Sequence, residues 1–415
     1  MSFTDVLKRL HLYLFLFLSG EIGYGGQTAT AAQSSIWRVL VLLSVAYGIV
    51  FFFRFPTHLR ITTVLYLLLT VWLIGVSYHM YGVPVASMQY MGLSLSFTLV
   101  YGGYVACWYL REISLREIGM TIFGLFFINQ VVLGRIMLHQ FNATERSTTA
   151  EETYYLLLPF CYYAVRYLQT IRLRHLITAL LVLVMLIGFF HRTVWMAATA
   201  AIGVLSMLMH TSIRQHLGLT GIRLLPYLGL GIMAVLAFLM THSQTAARLS
   251  GSLSESFSDI GNANSQGTSG WRHEQRQLYW NRIVQRPLLG WSYEGYEDGE
   301  LIIDDPESPD TKGTFIHSGY VNALYHYGLF GLSIHYGLLL STLAFMWRRF
   351  RREAGYIALF VFLTTGLVYS WSYQLPLFYW VLLGVGSYMA SLIPVRRVQL
   401  PQVTVVTPDS IRTCS

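Results

Sequence analysis

Charged residues are scarce in this sequence. They make up 12% of its 415 residues, whereas 54% are hydrophobic, and soluble globular chains carry about 25% charged residues. This shortage excludes a soluble globular protein and predicts an integral membrane protein. Lysine is rarer still. Of the 28 lysine and arginine residues, only Lys8 and Lys312 are lysines. Most of the arginines lie in short segments between apolar runs, so the net charge of +8 indicates membrane topology and not a surface for nucleic acid.

Cysteine is also rare, and its distribution gives no sign of a redox or metal site. Of the three cysteines, Cys107 and Cys161 lie inside apolar runs and Cys414 lies beside the C-terminus. No pair has the spacing of a disulfide or a zinc site. The 13 histidines are scattered without metal-ligand spacing. The sequence therefore indicates no metal and no cofactor.

Twelve apolar runs are predicted to cross the membrane, because a span needs about 20 apolar residues. The runs are Leu10–Tyr24, Ile36–Phe53, Ile61–Tyr81, Met91–Leu110, Ile118–His139, Thr153–Thr170, His175–Phe190, Thr193–His210, Ile222–Thr241, Gly319–Trp347, Gly355–Trp371 and Leu375–Ile393. Counted from a cytoplasmic N-terminus, the basic residues collect in alternate gaps on the inside, which is the positive-inside pattern. The predicted fold is all-α, with about twelve transmembrane helices and both termini in the cytoplasm.

One long polar segment interrupts the spans. Residues 242–316 fall outside by this count and contain "WRHEQRQLYWNRIVQRPLLGW". The stretch from Trp271 to Arg286 has helical character, and its Arg272, Arg276, Tyr279 and Ile283 share one face. The predicted organisation is therefore spans one to nine in residues 1–241, an outer loop with short helices in 242–316, spans ten to twelve in 317–397, and a cytoplasmic tail in 398–415.

Five ionisable residues are expected at the outer membrane surface. Arg192 lies in a tight turn between spans, Arg135 in the outer half of a span, Arg272 and Arg276 in the loop, and His317 at the start of a span. Each also has a structural interpretation as an interfacial or snorkelling residue. Arginine binds phosphate oxygens with two parallel hydrogen bonds, and histidine is suited to the role of a general base. Together they predict a site for a membrane-embedded diphosphate beside a hydroxyl nucleophile.

The two histidines further along the same span, His326 and His335, are interpreted as structural. The aromatic residues of the loop, Trp280 among them, could stack on sugar rings, although packing or a position at the lipid headgroups is the commoner role.

Three segments resemble the core signature of the O-antigen ligase and O-antigen polymerase superfamily. They are "FHRTVW", "WRHEQRQLYWNRIVQRPLLGW" and "HSGYVNALYHYGLFGL". The signature residues are Arg192, Arg272, Trp280, Pro287 with Gly290, His317, and the stretch from Gly328 to Leu332. This sequence has His191 where the family often has serine, and Ser318 where it often has asparagine.

The resemblance implies an integral-membrane glycosyltransferase with a GT-C-like fold, inverting and independent of metal, at the periplasmic face of the bacterial inner membrane. Its donor would be a glycan on undecaprenyl diphosphate. Arg192 and Arg272 would bind the diphosphate, Arg276 and Arg135 are further candidates, and His317 would accept the proton of the attacking hydroxyl. The expected partners are this donor, a glycan or lipid A-core acceptor and membrane lipid, with a chain-length regulator as a further candidate and no nucleic acid.

Several functions stay open at this point. A repeat-unit polymerase is favoured because such enzymes are numerous and diverse, but an O-antigen ligase needs the same donor site. A lipid-linked glycan transporter or flippase is a second class, although no internal repeat of the kind common in transporters is visible. A structural protein of envelope assembly is a third.

Overall fold

The computed structural model describes residues 3–20, 31–82, 96–110, 114–128, 148–189, 191–210, 268–292 and 316–392. Throughout these ranges the regular elements are helices, so the all-α prediction is confirmed. The α-helices are α1 (Phe3–Leu18), α2 (Ala31–Val50), α3 (Thr57–Tyr81), α4 (Leu99–Leu110), α5 (Leu115–Phe127), α6 (Ala150–Tyr155), α7 (Leu157–Thr170), α8 (Leu173–Gly188), α9 (Arg192–His210), α10 (Thr268–Ile283), α11 (Gly319–Arg348), α12 (Ala354–Tyr369) and α13 (Leu377–Ser391).

Among the described residues, three helices are long and apolar enough to cross a membrane. They are Thr57–His79 within α3, Arg192–Met209 within α9, and Gly319–Arg348, which is α11. They correspond to three of the twelve predicted spans. The helices α8, α12 and α13 are also apolar but shorter. The predicted span Ile222–Thr241 lies outside the described residues, so the count of twelve stays a prediction.

The predicted span Thr153–Thr170 is divided into α6 and α7, which meet at Leu156. The physical reason is Pro159, which has no backbone N–H and whose ring conflicts with the carbonyl group four residues earlier, at Tyr155. The amide of Leu156 instead donates to the carbonyl oxygen of Thr153, at 3.2 Å, which closes the last turn of α6.

The centre of the bundle is the packing of α4 against α13. Glycines on both helices permit this contact, because a Cβ at Gly103 would overlap the carbonyl oxygen of Val381 and one at Gly384 would overlap that of Val100. Small residues allow backbones to approach closely in membrane helices, where dispersion contacts are the main attraction. Helices α1 and α2 pack on α4, and α11 and α12 pack on α13.

We call the two ends of the bundle the His317 end and the Arg349 end. At the His317 end, α11 and α13 begin and α12 finishes. At the Arg349 end, α11, α13 and α4 finish and α3 begins, since residues from these four termini line a common cavity. The predicted topology puts the His317 end outside and the Arg349 end in the cytoplasm.

Helix α11 is broken at Gly328, whose φ of 62° and ψ of −163° are not helical. A continuous helix would pair the carbonyl groups of residues 325 and 326 with the amides of residues 329 and 330. Instead, the amides of Trp291 and Ser292 donate to those carbonyl groups, at 2.7 and 2.8 Å. The amides of residues 329 and 330 donate to the carbonyl oxygens of residues 287 and 288, at 2.8 and 3.1 Å.

Residues 287–292 therefore supply hydrogen-bond partners for four backbone groups of α11 that a continuous helix would pair with one another. We call this arrangement the backbone exchange. It needs glycine on both sides. Gly290 has a φ of 69°, and a Cβ there would lie 2.6 Å from the carbonyl oxygen of Tyr325. A Cβ at Gly328 would overlap Leu288. The "PLLGW" and "GLFGL" parts of the sequence signature thus contact each other directly.

We expect Gly290→Ala to lower the stability of the protein. The substitution forces a side chain into a left-handed conformation against backbone, which costs roughly 1–3 kcal/mol. The apparent melting temperature of the purified protein in detergent should fall. Gly337→Ala is the matched control on α11, because a Cβ there meets no atom within 4 Å. Equal melting temperatures for the two variants would show that the exchange does not depend on Gly290.

Candidate active site

The polar helix α10 lies against the first part of α11. The sequence predicts a helix from Trp271 to Arg286, and the structure places it three residues earlier, at Thr268–Ile283. Its Tyr279 and Ile283 are buried and pack with Ile316 and Tyr325. The rings of Tyr279 and Tyr325 meet edge to face, with their centroids 4.9 Å apart. The apolar side of the predicted face therefore attaches α10 to the bundle.

His317 is held by the turn between α12 and α13. The amide of Gly319 donates to the carbonyl oxygen of Ser370 at 2.9 Å, and the side-chain amide of Gln374 donates to the carbonyl oxygen of Ile316 at 3.1 Å. Between these two anchors, the imidazole of His317 is half-buried and meets the ring of Tyr373 edge to face, at 6.0 Å. The backbone on both sides of His317 is therefore fixed, which restricts where its ring can lie.

Arg276 also contacts this turn, at Trp371. Its guanidinium carbon lies 5.3 Å from the ring centroid of Trp371, which is a cation–π contact. A cavity of about 640 Å³ opens beside this pair. Its walls come from α10, from the start of α11 and from the α12–α13 turn, and consist of Arg276, Gln277, Trp280, Asn281, Ser318, Tyr320, Val321, Leu324 and Trp371.

Arg192 is the first residue of α9 and is half-buried. The turn before it is fixed by His191, whose Nε2 lies 2.8 Å from the carbonyl oxygen of Thr148 and donates to it. The indole N–H of Trp195 donates to the carbonyl oxygen of Leu186, at 3.1 Å, and so links α9 to the last turn of α8. His191, where the family often has serine, therefore has a structural role in supporting the tight turn.

A row of tyrosines joins the start of α9 to His317. Thr148, which accepts from His191, also bonds to Thr153, the neighbour of Tyr154. Tyr154 stacks on Tyr369, with ring centroids 4.1 Å apart, and Tyr369 stacks on Tyr373 at 5.6 Å. Because Tyr373 contacts His317, the start of α9 and the start of α11 lie at the same end of the bundle.

The N-terminus of α9 adds to the positive charge at this end. Arg192 begins a helix of 19 residues. The first amides of a helix lack intrahelical acceptors and carry a partial positive charge that attracts anions. The start of α9 therefore combines a guanidinium group with the favourable end of a helix dipole, which is suited to phosphate oxygens.

The five sequence candidates have different outcomes. Arg192, Arg276 and His317 all lie at the His317 end. Arg272 is in α10, one turn before Arg276, but its side chain is outside the described residues. Arg135 lies outside them altogether. None of the five functional roles is tested by this placement.

The two deeper histidines are both buried, and each lies near a carbonyl group. His326 Nδ1 is 2.9 Å from the carbonyl oxygen of Ser292, which belongs to the backbone exchange. His335 Nδ1 is 2.8 Å from the carbonyl oxygen of Gly331, and its ring stacks on that of Tyr327. These contacts fit the structural interpretation.

Sequence reasoning missed the contributions of Trp371, Tyr373 and the start of α6. Nothing in the local pattern separates the two aromatic residues from others at the end of a span. The start of α6 did have a signal, since Thr149 and Glu152 match the capping-box pattern. In the structure each of their side chains accepts a hydrogen bond from the other's amide, at 3.1 and 3.2 Å.

The fold and the site define an all-helical membrane protein with arginines and a histidine at one end of the bundle. The polar helix α10 packs against the first part of α11 at that end. Residues 176–336 match the family model described as O-antigen ligase, which confirms the resemblance to the O-antigen ligase and polymerase superfamily over this region. A search of curated proteins gave no match.

We expect His191→Ala to destabilise the protein. The change leaves the buried carbonyl group of Thr148 without its donor, which costs roughly 1–3 kcal/mol. The apparent melting temperature should fall, whereas His79→Ala, at an exposed position near the end of α3, should leave it unchanged. If both variants melt like the wild type, His191 does not support the turn before Arg192.

Proposed function

We propose that this protein is a metal-independent, inverting glycosyltransferase that joins lipid-linked glycan repeat units. The donor is a glycan on undecaprenyl diphosphate, and the acceptor is a sugar hydroxyl, at the periplasmic face of the bacterial inner membrane. The observation that carries the proposal is the match to the O-antigen ligase family over residues 176–336, which contain Arg192, Arg272, Arg276 and His317.

The diphosphate of the donor is assigned to the arginines. Arg192 at the start of α9 and Arg272 on α10 bind its oxygens, with Arg276 and Arg135 as further candidates. In this role, arginines aimed at the oxygens stabilise the negative charge that grows on the leaving group, which is commonly the largest contribution to such a transfer. A metal ion is not needed for this purpose when fixed cations supply the charge.

The reaction is a single displacement. The acceptor oxygen attacks the anomeric carbon while the bond from that carbon to the diphosphate oxygen breaks, and the bonding electron pair leaves with undecaprenyl diphosphate. The acceptor hydroxyl loses its proton to the His317 imidazole, which acts as the general base. Attack opposite the leaving group inverts the anomeric configuration.

The cavity beside Arg276 is suited to sugar residues. Its volume of about 640 Å³ lies within the usual range for small-molecule sites. Trp280, Tyr320 and Trp371 provide aromatic walls, and Asn281 and Ser318 provide polar groups. Of the aromatic residues in the loop, Trp280 is the best candidate to stack on a sugar ring, because it is exposed and lines the cavity. Tyr279, in contrast, is buried against its neighbours.

The ligase alternative is supported by the same observations. A ligase takes the same donor and differs in its acceptor, which is lipid A-core. A transporter is less well supported, since transporters keep their binding groups near the membrane midplane. The described arginines of this site and His317 instead lie at one end of the bundle.

We expect Arg192→Ala and His317→Ala each to lower glycan transfer by about 10²- to 10³-fold, as is usual for loss of a charge-stabilising donor or a general base. Arg192→Lys should recover only part of the activity, because lysine lacks the planar fork. Transfer is measured in membranes that contain equal amounts of each protein. Arg174→Ala and His79→Ala are the matched controls at exposed positions. Wild-type transfer by both site variants would refute the assignment.

The acceptor is tested by deleting the gene and separating surface and lipid-linked glycans on a gel. A polymerase predicts that the ladder collapses to core with a single repeat. A ligase predicts that long glycans persist on the polyprenyl carrier and do not reach lipid A-core. An unchanged pattern would contradict both, and single repeats retained on the inner face would indicate a flippase.

A further inference from the structure

A second cavity lies at the Arg349 end of the bundle, away from the candidate active site. Its volume is about 810 Å³. It is open to the outside of the bundle and is lined by the start of α3 and the ends of α4, α11 and α13. Since α11 and α13 each begin at the His317 end and finish here, the two cavities are separated by the length of these helices.

Three arginines line this second cavity: Arg54, Arg60 and Arg349. Among the described residues that line it, none is acidic. The positive-inside pattern explains why arginines occur in these gaps, but it does not require that arginines from separate gaps share one cavity. Three cations that line one partly apolar cavity repel one another, and an anion bound among them would offset this repulsion.

Contacts within the protein hold these arginines in place. The guanidinium carbon of Arg54 lies 4.6 Å from the ring centroid of Trp108, and that of Arg349 lies 4.4 Å from the ring centroid of Phe345. Arg349 Nη1 donates to the carbonyl oxygen of Ala390 at 3.1 Å. Stacking on a ring and a hydrogen bond of this kind fix the plane of a guanidinium group.

Arg60 offers a buried donor. Its Nη2 donates to the hydroxyl of Thr57 at 3.3 Å. Its Nε is buried and has no hydrogen-bond partner among the described residues. A buried donor of a charged group without an acceptor is costly, so an acceptor that enters the cavity would be stabilised there.

The start of α3 adds a third feature. The helix begins at Thr57 after Pro56, and both residues line the cavity. Within the described part of the chain, no side chain caps the first turn. The first amides of this helix of 25 residues are therefore open to a ligand, and the helix dipole favours an anion at this point.

We propose that this cavity binds the phosphate-bearing headgroup of an anionic membrane lipid. The arginines and the start of α3 bind the phosphate, and the aromatic wall that includes Tyr104 and Tyr388 contacts the glycerol and the upper acyl chain. A free phosphate ion would fill only a small part of about 810 Å³ and would leave the aromatic wall uncovered. Basic cavities between membrane helices are a known way to bind anionic lipids. The proposal is independent of the glycosyltransferase assignment.

The test uses the purified full-length protein in a neutral detergent. Thermal unfolding is followed while phosphatidylglycerol, or phosphatidylcholine with the same acyl chains, is titrated in, and inorganic phosphate is titrated separately. We expect phosphatidylglycerol to raise the melting temperature at a concentration at least about tenfold lower than either of the others. Arg60→Gln should weaken this effect about tenfold, as expected for loss of charge-assisted hydrogen bonds.

Arg348→Gln is the matched control, because Arg348 neighbours Arg349 but is exposed and does not line the cavity. Equal effects of the two lipids, or equal loss in Arg60→Gln and Arg348→Gln, would overturn the proposal. An equal effect of inorganic phosphate would assign the cavity to a free anion and overturn the lipid assignment. If Arg60→Gln does not yield folded protein, the proposal is tested by comparing phosphatidylglycerol with phosphatidylcholine on the wild-type protein alone.

Discussion

The arrangement of the candidate active site depends on the backbone exchange between residues 287–292 and α11. A break in an apolar helix leaves amide and carbonyl groups that water cannot reach, and such groups are tolerated only where other parts of the protein satisfy them. Here the segment after α10 satisfies all four groups. The break therefore requires this segment, and the segment in turn brings α10 to the start of α11. Arg276 can contact Trp371 because this connection is fixed.

The break also divides α11 into two parts with different tasks. The part before Gly328 begins just after His317 and packs with α10, whereas the part after it runs to Arg349 and the second cavity. Glycine contacts between α4 and α13 hold the bundle at its centre, and α13 packs on α11. A rigid centre of this kind allows each end to keep its own charged groups in a defined position.

Local patterns in the sequence predicted a good part of this structure. The periodicity of α10 predicted that Tyr279 and Ile283 share one face of the helix, and the structure shows that both are buried. The spacing of the apolar runs predicted the turn at Arg192. The backbone exchange could not be predicted, because "PLLGW" indicates only a turn and its partner lies nearly 40 residues away. Trp371 was counted as the end of a span, since only the fold places it under Arg276. The division at Leu156 did have a signal, in Pro159.

Arginine stacking recurs at both ends of the bundle and has the same physical effect at each. Arg276 lies over Trp371, Arg54 over Trp108 and Arg349 over Phe345. A free arginine side chain carries about 2 kcal/mol of rotamer entropy, which binding must overcome. Because each ring already restricts its guanidinium in the folded protein, less of that entropy is lost when a phosphate arrives. In the two proposed sites, aromatic residues at these positions therefore favour anion binding through the arginines that they hold in place.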